Sequence, residues 1–263
     1  MTAGTTVAAG ATALCPHVTR VLAPNAGPMT LDGTNAWVLR DGPDRPALVV
    51  DPGPLDKGHL ATLAALGPVA TILLTHGHAD HSEGAARLAE LTGAPVRALD
   101  PAYRLGGEGL ADGDVVTAGE LALHVLATPG HTADSLCFTM EEGCQTGGSA
   151  VLTGDTVLGR GTTVVAHPDG RLADYLRSLR RLRELGSASL LPGHGPVLPE
   201  AGAAAEAYLA HREQRLAQVR DALAAGASTA SEVVASVYAD IDKALWPAAE
   251  LSVRAQIEYL RTS

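Results

Sequence analysis

The stretch VATILLTHGHADH, Val69–His81, runs from a continuous apolar segment straight into a cluster of polar residues. Its apolar part lacks the alternation of a half-buried strand, so it predicts a strand buried on both faces, as in a sheet covered by helices. Within six residues the polar part contains four side chains able to bind a metal: His76, His78, Asp80 and His81. Imidazole nitrogens and carboxylate oxygens at this density suit a borderline metal such as zinc. The stretch therefore predicts a metal site at the end of a buried strand.

Three further candidate ligands follow later strands, at the turn where each strand ends. His131 lies in TPGHT, after the predicted strand Leu121–Leu126. Asp155 lies in LTGDT and His194 in LLPGHGP, again directly after apolar segments. Taken singly, each is compatible with an ordinary turn, because aspartate beside glycine is common there. Taken together, seven ligand-type side chains at strand ends predict a site for two metal ions.

The rest of the pattern predicts two sheets packed face to face with helices outside them. Helices are predicted over His59–Gly67, Glu83–Gly93 and Leu172–Leu185. Short apolar strands separated by Gly- and Pro-rich turns account for most of the chain up to about Glu200.

The composition changes near Glu200, where the chain becomes Ala-rich and helical. A first helix is predicted over Glu200–Gly226; Ser228 or Thr229 caps a second, and Pro247 opens a third. We therefore expect one domain over residues 16–200 and a small helical domain over residues 201–263. Residues 1–15 are rich in small side chains, and we expect them to form a loose tail.

Composition and charge exclude several classes of protein. With 263 residues, of which 46% are hydrophobic and 18% charged, the chain is too apolar for intrinsic disorder. No apolar run approaches the roughly 18–20 residues that cross a bilayer, and the net charge of −10 gives no attraction to anionic lipid or nucleic acid. We therefore expect no membrane partner. Three cysteines without a CxxC pair, and an N-terminus unlike a signal peptide, indicate a reducing, cytoplasmic compartment.

The pattern HxHxDH at His76–His81, completed by His131, Asp155 and His194, resembles the metallo-β-lactamase superfamily. Further stretches resemble its subgroup called beta-lactamase-like protein two, namely NAGPMTLDGTN, TPGHTADS, GDTVLGRGTTV, PGHGPV and HREQRL. The resemblance extends over nearly all of the chain from Pro16 onward. It implies an α+β fold, the αββα metallo-β-lactamase sandwich, with the metals at one edge of the two sheets. It also implies a small C-terminal helical, winged-helix-like domain.

The resemblance assigns a role to each candidate ligand. A first zinc ion would bind to His76, His78 and His131, and a second to Asp80, His81 and His194, with Asp155 bridging the two. Two such ions share a water that loses a proton near neutral pH and attacks the substrate as a metal-bridging hydroxide. Asp80 orients this nucleophile, so Asp80 and Asp155 are the candidate catalytic residues. The same ligand set suits iron or manganese in one of the two sites.

Two loops are expected to line the cleft beside the metals. Arg160, Thr162 and Thr163 lie in the loop after Asp155, and there the arginine is available to an anionic group of a substrate. Met29, in an earlier loop, is expected on the opposite wall. The alternative for the first loop is a structural role, in which the threonine hydroxyls bond to the backbone.

Three functions stay open. The first is hydrolysis of a small-molecule or carrier-bound ester or thioester, because aspartate rather than cysteine at Asp155 is typical of superfamily members with thioester or phosphodiester substrates. The second is endonucleolytic cleavage of single-stranded RNA, an activity found in the subgroup. The third is a nucleic-acid-binding module with an incidental metal site. Ala203–Ser263 carries six basic and eight acidic side chains, which disfavours nucleic-acid binding through this segment. Ester or thioester hydrolysis therefore ranks first.

Overall fold

The computed structural model describes residues 10–42, 44–141 and 148–262, which form two mixed β-sheets and seven α-helices. The first sheet consists, in chain order, of β1 Ala11–Cys15, β2 Val18–Leu22, β3 Asn35–Leu39, β4 Ala47–Val50, β5 Val69–Leu73 and β6 Val96–Arg97. The second consists of β7 Val115–Ala118, β8 Leu121–Ala127, β9 Leu136–Met140, β10 Ala150–Gly154 and β11 Ser189–Pro192, in the order β11-β10-β9-β8-β7.

Strand direction brings the candidate ligands to one edge of each sheet. In the first sheet β5 runs parallel to both β4 and β6. In the second sheet β9 is antiparallel to β8 and to β10, while β11 is parallel to β10. β8, β10 and β11 therefore point the same way, and the loops after them gather at one edge of the sheet.

An apolar core fills the space between the two sheets. Trp37 and Leu48 of the first sheet belong to the same buried cluster as Leu123, Phe138 and Leu152 of the second. Every side chain of β3, β4, β10 and β11 is buried. These strands are enclosed on both faces, which explains their continuous apolar sequences.

Helices α1 Lys57–Ala65 and α3 Ala85–Thr92 cover the outer face of the first sheet and α4 Leu172–Arg183 that of the second, while the one-turn α2 Ala79–Ser82 lies between α1 and α3 in the chain. Leu60 and Leu88 pack onto the first sheet, and Tyr175 and Leu179 onto the second. α1 begins two residues before the predicted start, because the Asp56 side chain accepts a hydrogen bond from the backbone N–H of His59 and caps the helix. The layers are those of the αββα sandwich that the resemblance implied.

The C-terminal part consists of α5 Ala201–Ala224, α6 Ala230–Val237 and α7 Trp246–Thr262. Thr229 and Glu232 form the predicted capping box at the start of α6. Val219 and Val233 belong to a small core among these helices. Leu209 of α5 joins the cluster that contains α4, so the C-terminal helices pack directly on the sandwich.

The expectation of a loose tail over residues 1–15 is wrong for Ala11–Cys15. These residues form β1, which pairs with β2 in an antiparallel ladder from Ala11 opposite Val21 to Cys15 opposite Val18. Small residues such as these gain strand structure from the partner strand rather than from their own propensity, which is why the sequence pattern missed the strand. Residues 1–9 of the predicted tail lie outside the described residues.

Two further findings concern the cysteines and the helices. Cys15 is disulfide-bonded. Cys137 is free and buried in β9. Among the described residues, no helix has the length and hydropathy required to cross a membrane.

Candidate metal centre

The seven predicted ligands meet at the edge where the two sheets adjoin. His76 and His78 follow β5, and α2 turns the chain back so that Asp80 and His81 face the same point. The other three ligands lie after strands of the second sheet: His131 after β8, Asp155 after β10 and His194 after β11. The chain brings together residues that are up to 118 positions apart, as the strand directions require.

The first group consists of His76, His78 and His131. The Nδ1 atom of His78 lies 3.0 Å from the Nε2 atom of His76 and 3.0 Å from the Nε2 atom of His131. Burial lowers the pKa of His76 and of His131, which favours the neutral imidazole that binds a metal. Three ring nitrogens that converge in this way suit a zinc-type ion.

The second group consists of Asp80, His81 and His194. The Nε2 atoms of His81 and His194 are 3.2 Å apart. One carboxylate oxygen of Asp80, Oδ2, lies 3.1 Å from Nε2 of His194 and 3.4 Å from Nε2 of His81. Two nitrogens and one oxygen therefore converge on a second point.

Asp155 lies between the two groups, with one carboxylate oxygen toward each. Its Oδ1 atom is 3.4 Å from Nε2 of both His81 and His194, and its Oδ2 atom is 3.8 Å from Nε2 of His131. Burial alone would raise the pKa of the Asp155 carboxyl, but the neighbouring His81 and His194 hold it well below its usual range. This side chain is therefore a carboxylate with an oxygen available to each group.

Two observations show that the centre fits a bound cation. The Oδ1 atom of Asp155 is buried and has no hydrogen-bond partner, which is costly for a carboxylate oxygen unless a cation satisfies it. A Cβ atom added at Gly193 would lie 2.6 Å from that oxygen and 2.7 Å from the His81 ring. The chain thus keeps space at the centre of the cluster, and the nitrogen and oxygen donors suit divalent ions such as zinc.

Asp51 is a candidate positioning residue that the sequence pattern did not indicate. It directly follows β4 and adopts the left-handed region, at φ 52°, and its Oδ2 atom lies 2.8 Å from Nδ1 of His81. The same carboxylate accepts hydrogen bonds from the backbone N–H and the hydroxyl of Thr75, at 2.8 and 2.7 Å. These contacts orient His81 so that its Nε2 faces the centre. In the sequence, the one indication of this role is an acidic residue directly after the apolar segment of β4.

Backbone carbonyls orient two other histidines. Nδ1 of His131 lies 2.7 Å from the carbonyl oxygen of Val164, and Nδ1 of His194 lies 3.1 Å from that of Gly33. Donation from Nδ1 leaves Nε2 as the metal-binding nitrogen in both rings. Asn35 holds the turn around His194, because its Nδ2 atom donates to the carbonyls of Pro192 and Gly195, each at 2.9 Å.

The loop after Asp155 combines both alternatives considered from the sequence. The Thr163 hydroxyl is buried and donates to the carbonyl oxygen of Asp155 at 2.8 Å, so this side chain is structural rather than open to a substrate. Arg160 is exposed, but its guanidinium forms a bidentate ion pair with Asp32. Its predicted anionic partner is thus supplied by the chain itself. Thr162 is exposed and keeps its hydroxyl available.

A cavity of about 290 Å³ lies between the metal centre and the C-terminal helices. His131 and Asp155 line one end, and all four predicted cleft residues contribute: Met29, Arg160, Thr162 and Thr163. Another wall is formed by α5, α7 and the segment between α6 and α7, including the residues His211, Arg212, Arg215, Tyr238, Ile241 and Leu245.

Arg212 connects this wall to the metal centre. Its side chain is 4% exposed, and its Nη2 atom donates to the carbonyl oxygen of Thr163. Its guanidinium carbon lies 5.2 Å from the centre of the Tyr175 ring. A C-terminal helix therefore holds the segment that contacts both Asp155 and His131.

The fold and site define a member of a known superfamily. Residues 29–194 match the Metallo-beta-lactamase superfamily, and residues 229–262 match the Beta-lactamase associated winged helix domain. The chain therefore belongs to the metallo-beta-lactamase superfamily and is a hydrolase of that superfamily. The predicted sandwich and the predicted winged-helix-like domain are both confirmed.

Similarity to individual proteins narrows the position of the chain within the superfamily. An atrochrysone carboxyl ACP thioesterase from Aspergillus fumigatus is 32% identical over 249 residues, covering 86% of this chain and 74% of that protein. A beta-lactamase-like protein 2 homolog from Caenorhabditis elegans is 32% identical over 247 residues, covering 86% and 78%. A beta-lactamase domain protein from Burkholderia ambifaria has the same fold, with a TM-score of 0.81 at 24% identity over 99% of this chain and 90% of that one. The predicted resemblance to the subgroup is confirmed.

Proposed function

We propose that the chain is a dinuclear, zinc-dependent hydrolase of esters, and of thioesters in particular. The observation that carries this proposal is the position of Asp155, whose two carboxylate oxygens face two separate groups of ligands. A carboxylate with one oxygen toward each group can bridge a pair of adjacent metal ions. The Aspergillus relative, an atrochrysone carboxyl ACP thioesterase, supports acyl transfer to water as the reaction class.

Two divalent ions, when bound, would supply Lewis acidity and acidify a water molecule. The residues of the chain would orient this water and position the ligands. Asp80 is the more exposed of the two central aspartates, at 29% against 12% for Asp155. It is therefore suited to accept a hydrogen bond from the attacking water and to orient it. Asp155 would fix the positions of the two groups of ligands relative to each other. Iron or manganese in one site is compatible with the same donors.

The cavity supports an acyl substrate. It opens directly onto His131 and Asp155, and much of its lining is apolar, with side chains such as Leu31, Leu158 and Ile241. A small-molecule or carrier-bound ester or thioester can place its acyl part against such a wall and its carbonyl carbon at the metal centre.

Cleavage of single-stranded RNA is the second candidate, because three arginines line the cavity: Arg160, Arg212 and Arg215. The net charge of −10 and the apolar wall weigh against it. A nucleic-acid-binding module with an incidental metal site is the weakest candidate, since the C-terminal helices pack on the sandwich and help to enclose the centre.

The test compares two substrates on one preparation. The zinc-loaded protein is incubated with a panel of acyl thioesters and, separately, with end-labelled single-stranded RNA. A His76→Ala variant of the same fold, checked by circular dichroism, serves as the control. We expect thioester hydrolysis that is lost in the variant, and intact RNA. Zinc-dependent RNA cleavage without thioester hydrolysis would reverse the ranking.

A further inference from the structure

We propose that the cavity beside the metal centre binds an acyl group that carries its own acidic function: an apolar body that ends in a carboxylate. This inference rests on the proposed function and specifies its substrate class. The acidic end would contact Arg212 and Arg215 of α5, and the apolar body would lie against the C-terminal wall. The C-terminal domain would thereby determine which acyl groups the enzyme accepts.

The first observation is an uncompensated buried charge. The Arg212 side chain is 4% exposed, and its Nε atom is buried without a hydrogen-bond partner. Its contacts within the described chain include the carbonyl oxygen of Thr163 and the face of Tyr175. Among the ion pairs of the described residues none includes Arg212. A guanidinium buried without an anion is unfavourable, and a bound carboxylate would complete its environment.

The second observation is a neighbouring arginine with free donors. Arg215 lies one turn further along α5 and faces the same cavity. Its Nη1 atom donates to the side chain of Gln218 and to the carbonyl of Val237, at 3.0 and 3.1 Å. The guanidinium carbon lies 4.6 Å from the centre of the Tyr238 ring. These contacts orient the group, while Nε and Nη2 have no hydrogen-bond partner in the described part of the chain.

The third observation is that one acidic side chain alone lines the cavity. Asp155 is the single carboxylate among its lining residues, and that carboxylate faces the metal ligands. Arg160 is already neutralised by Asp32, so the free positive charge is concentrated at Arg212 and Arg215. An anionic group of a ligand is attracted to this end of the cavity.

The fourth observation favours an organic acid over a nucleic acid as the ligand. Apolar side chains line the same cavity as the two arginines, among them Ile241, Leu245 and Ala249. Ala249 is buried, and the other two are half-buried. A wall of this kind accommodates hydrocarbon or aromatic groups, whereas a phosphodiester backbone with its hydration does not benefit from it.

The experiment uses a matched pair of probes on the zinc-loaded full chain. The probes are 2-naphthoate and 2-naphthamide, which share a ring system and differ in charge. Isothermal titration calorimetry is expected to show naphthoate binding at least about tenfold more tightly than naphthamide, since a charge-assisted hydrogen bond is worth that factor or more. Arg215→Gln is expected to remove about tenfold of the naphthoate affinity and to leave the naphthamide affinity unchanged.

The control is Arg220→Gln, which removes an exposed arginine of the same helix outside the cavity. Naphthoate affinity that is unchanged by Arg215→Gln would overturn the proposal, because it would mean that the probe binds to the metal alone. A short oligoribonucleotide that displaces naphthoate and loses affinity in Arg215→Gln would also overturn it. This experiment measures binding, so its result does not depend on whether the protein hydrolyses thioesters. A failure of the proposed function would be detected separately, in the hydrolysis assay.

Discussion

Arg212 of α5 donates a hydrogen bond to the carbonyl oxygen of Thr163, and this bond joins the C-terminal helices to the metal centre. Thr163 in turn donates its hydroxyl to the Asp155 carbonyl, and the next carbonyl, that of Val164, accepts from the His131 ring. One buried side chain of the small domain therefore supports the positions of two predicted ligands of the large one.

This relationship predicts that Arg212→Met weakens metal binding without touching a ligand. The side chain keeps a similar length but loses the bond to Thr163, so the segment that orients His131 is released. We expect the zinc affinity, measured by competition with a chromophoric chelator, to fall about 10- to 100-fold, as for other residues that support metal ligands. Arg220→Met is the matched control. Equal zinc affinities in both variants would mean that Arg212 has no positioning role.

Asp51→Asn tests the support of His81. The carboxylate accepts hydrogen bonds from the His81 ring N–H and from two groups of Thr75. An asparagine amide has no negative charge, and its nitrogen donates instead of accepting, so it cannot replace all three bonds. We expect a loss of about 10- to 100-fold in kcat/KM for thioester hydrolysis or in zinc affinity. The exposed Asp44→Asn is expected to behave as the unmodified protein. Full activity of Asp51→Asn would contradict the role assigned to this side chain.

Gly193→Ala tests the space at the centre. The new Cβ would lie 2.6 Å from Oδ1 of Asp155 and 2.7 Å from Cε1 of His81, closer than such atoms approach. We expect the variant to bind less zinc per chain than the unmodified protein, as measured by inductively coupled plasma mass spectrometry. Gly58→Ala, where the nearest atom lies at 3.4 Å, is the control. Retention of the full zinc content would show that the centre lies elsewhere.

The two threonines of the loop after Asp155 are predicted to differ. Thr163→Val removes a buried hydroxyl that bonds to the carbonyl of Asp155, and we expect it to lower the free energy of unfolding by about 1–2 kcal/mol. Thr162→Val changes an exposed side chain at the cavity, and we expect it to alter KM with little effect on stability. Chemical denaturation and steady-state kinetics on both variants test this prediction. A change in KM for Thr163→Val and a loss of stability for Thr162→Val would contradict it.

The sequence indicated the seven candidate ligands because each of them follows an apolar strand, and strand direction gathers such positions at one edge. His76 to His81 were recognisable from local density alone. His131, Asp155 and His194 were recognisable because glycine-rich turns follow buried strands. The layered fold followed from the same continuous apolar runs, which occur where a sheet is covered on both faces.

What the sequence could not predict depends on contacts between distant residues. Asp51 is 24 positions from Thr75, and Arg212 is 49 positions from Thr163, so neither role leaves a local pattern. The same reason explains β1, since its small residues form a strand because β2 is alongside. The ion pair of Arg160 with Asp32, across 128 positions, likewise changed the expected role of that arginine.

The most direct test of the central claim is a metal titration. Protein stripped with a chelator is titrated with Zn²⁺, and zinc content and thioester hydrolysis are followed on the same samples. If Asp155 bridges two ions, activity rises to a plateau at two equivalents per chain, and Asp155→Ala loses both the second equivalent and the activity. A plateau at one equivalent, or hydrolysis that persists without metal, would contradict the dinuclear site.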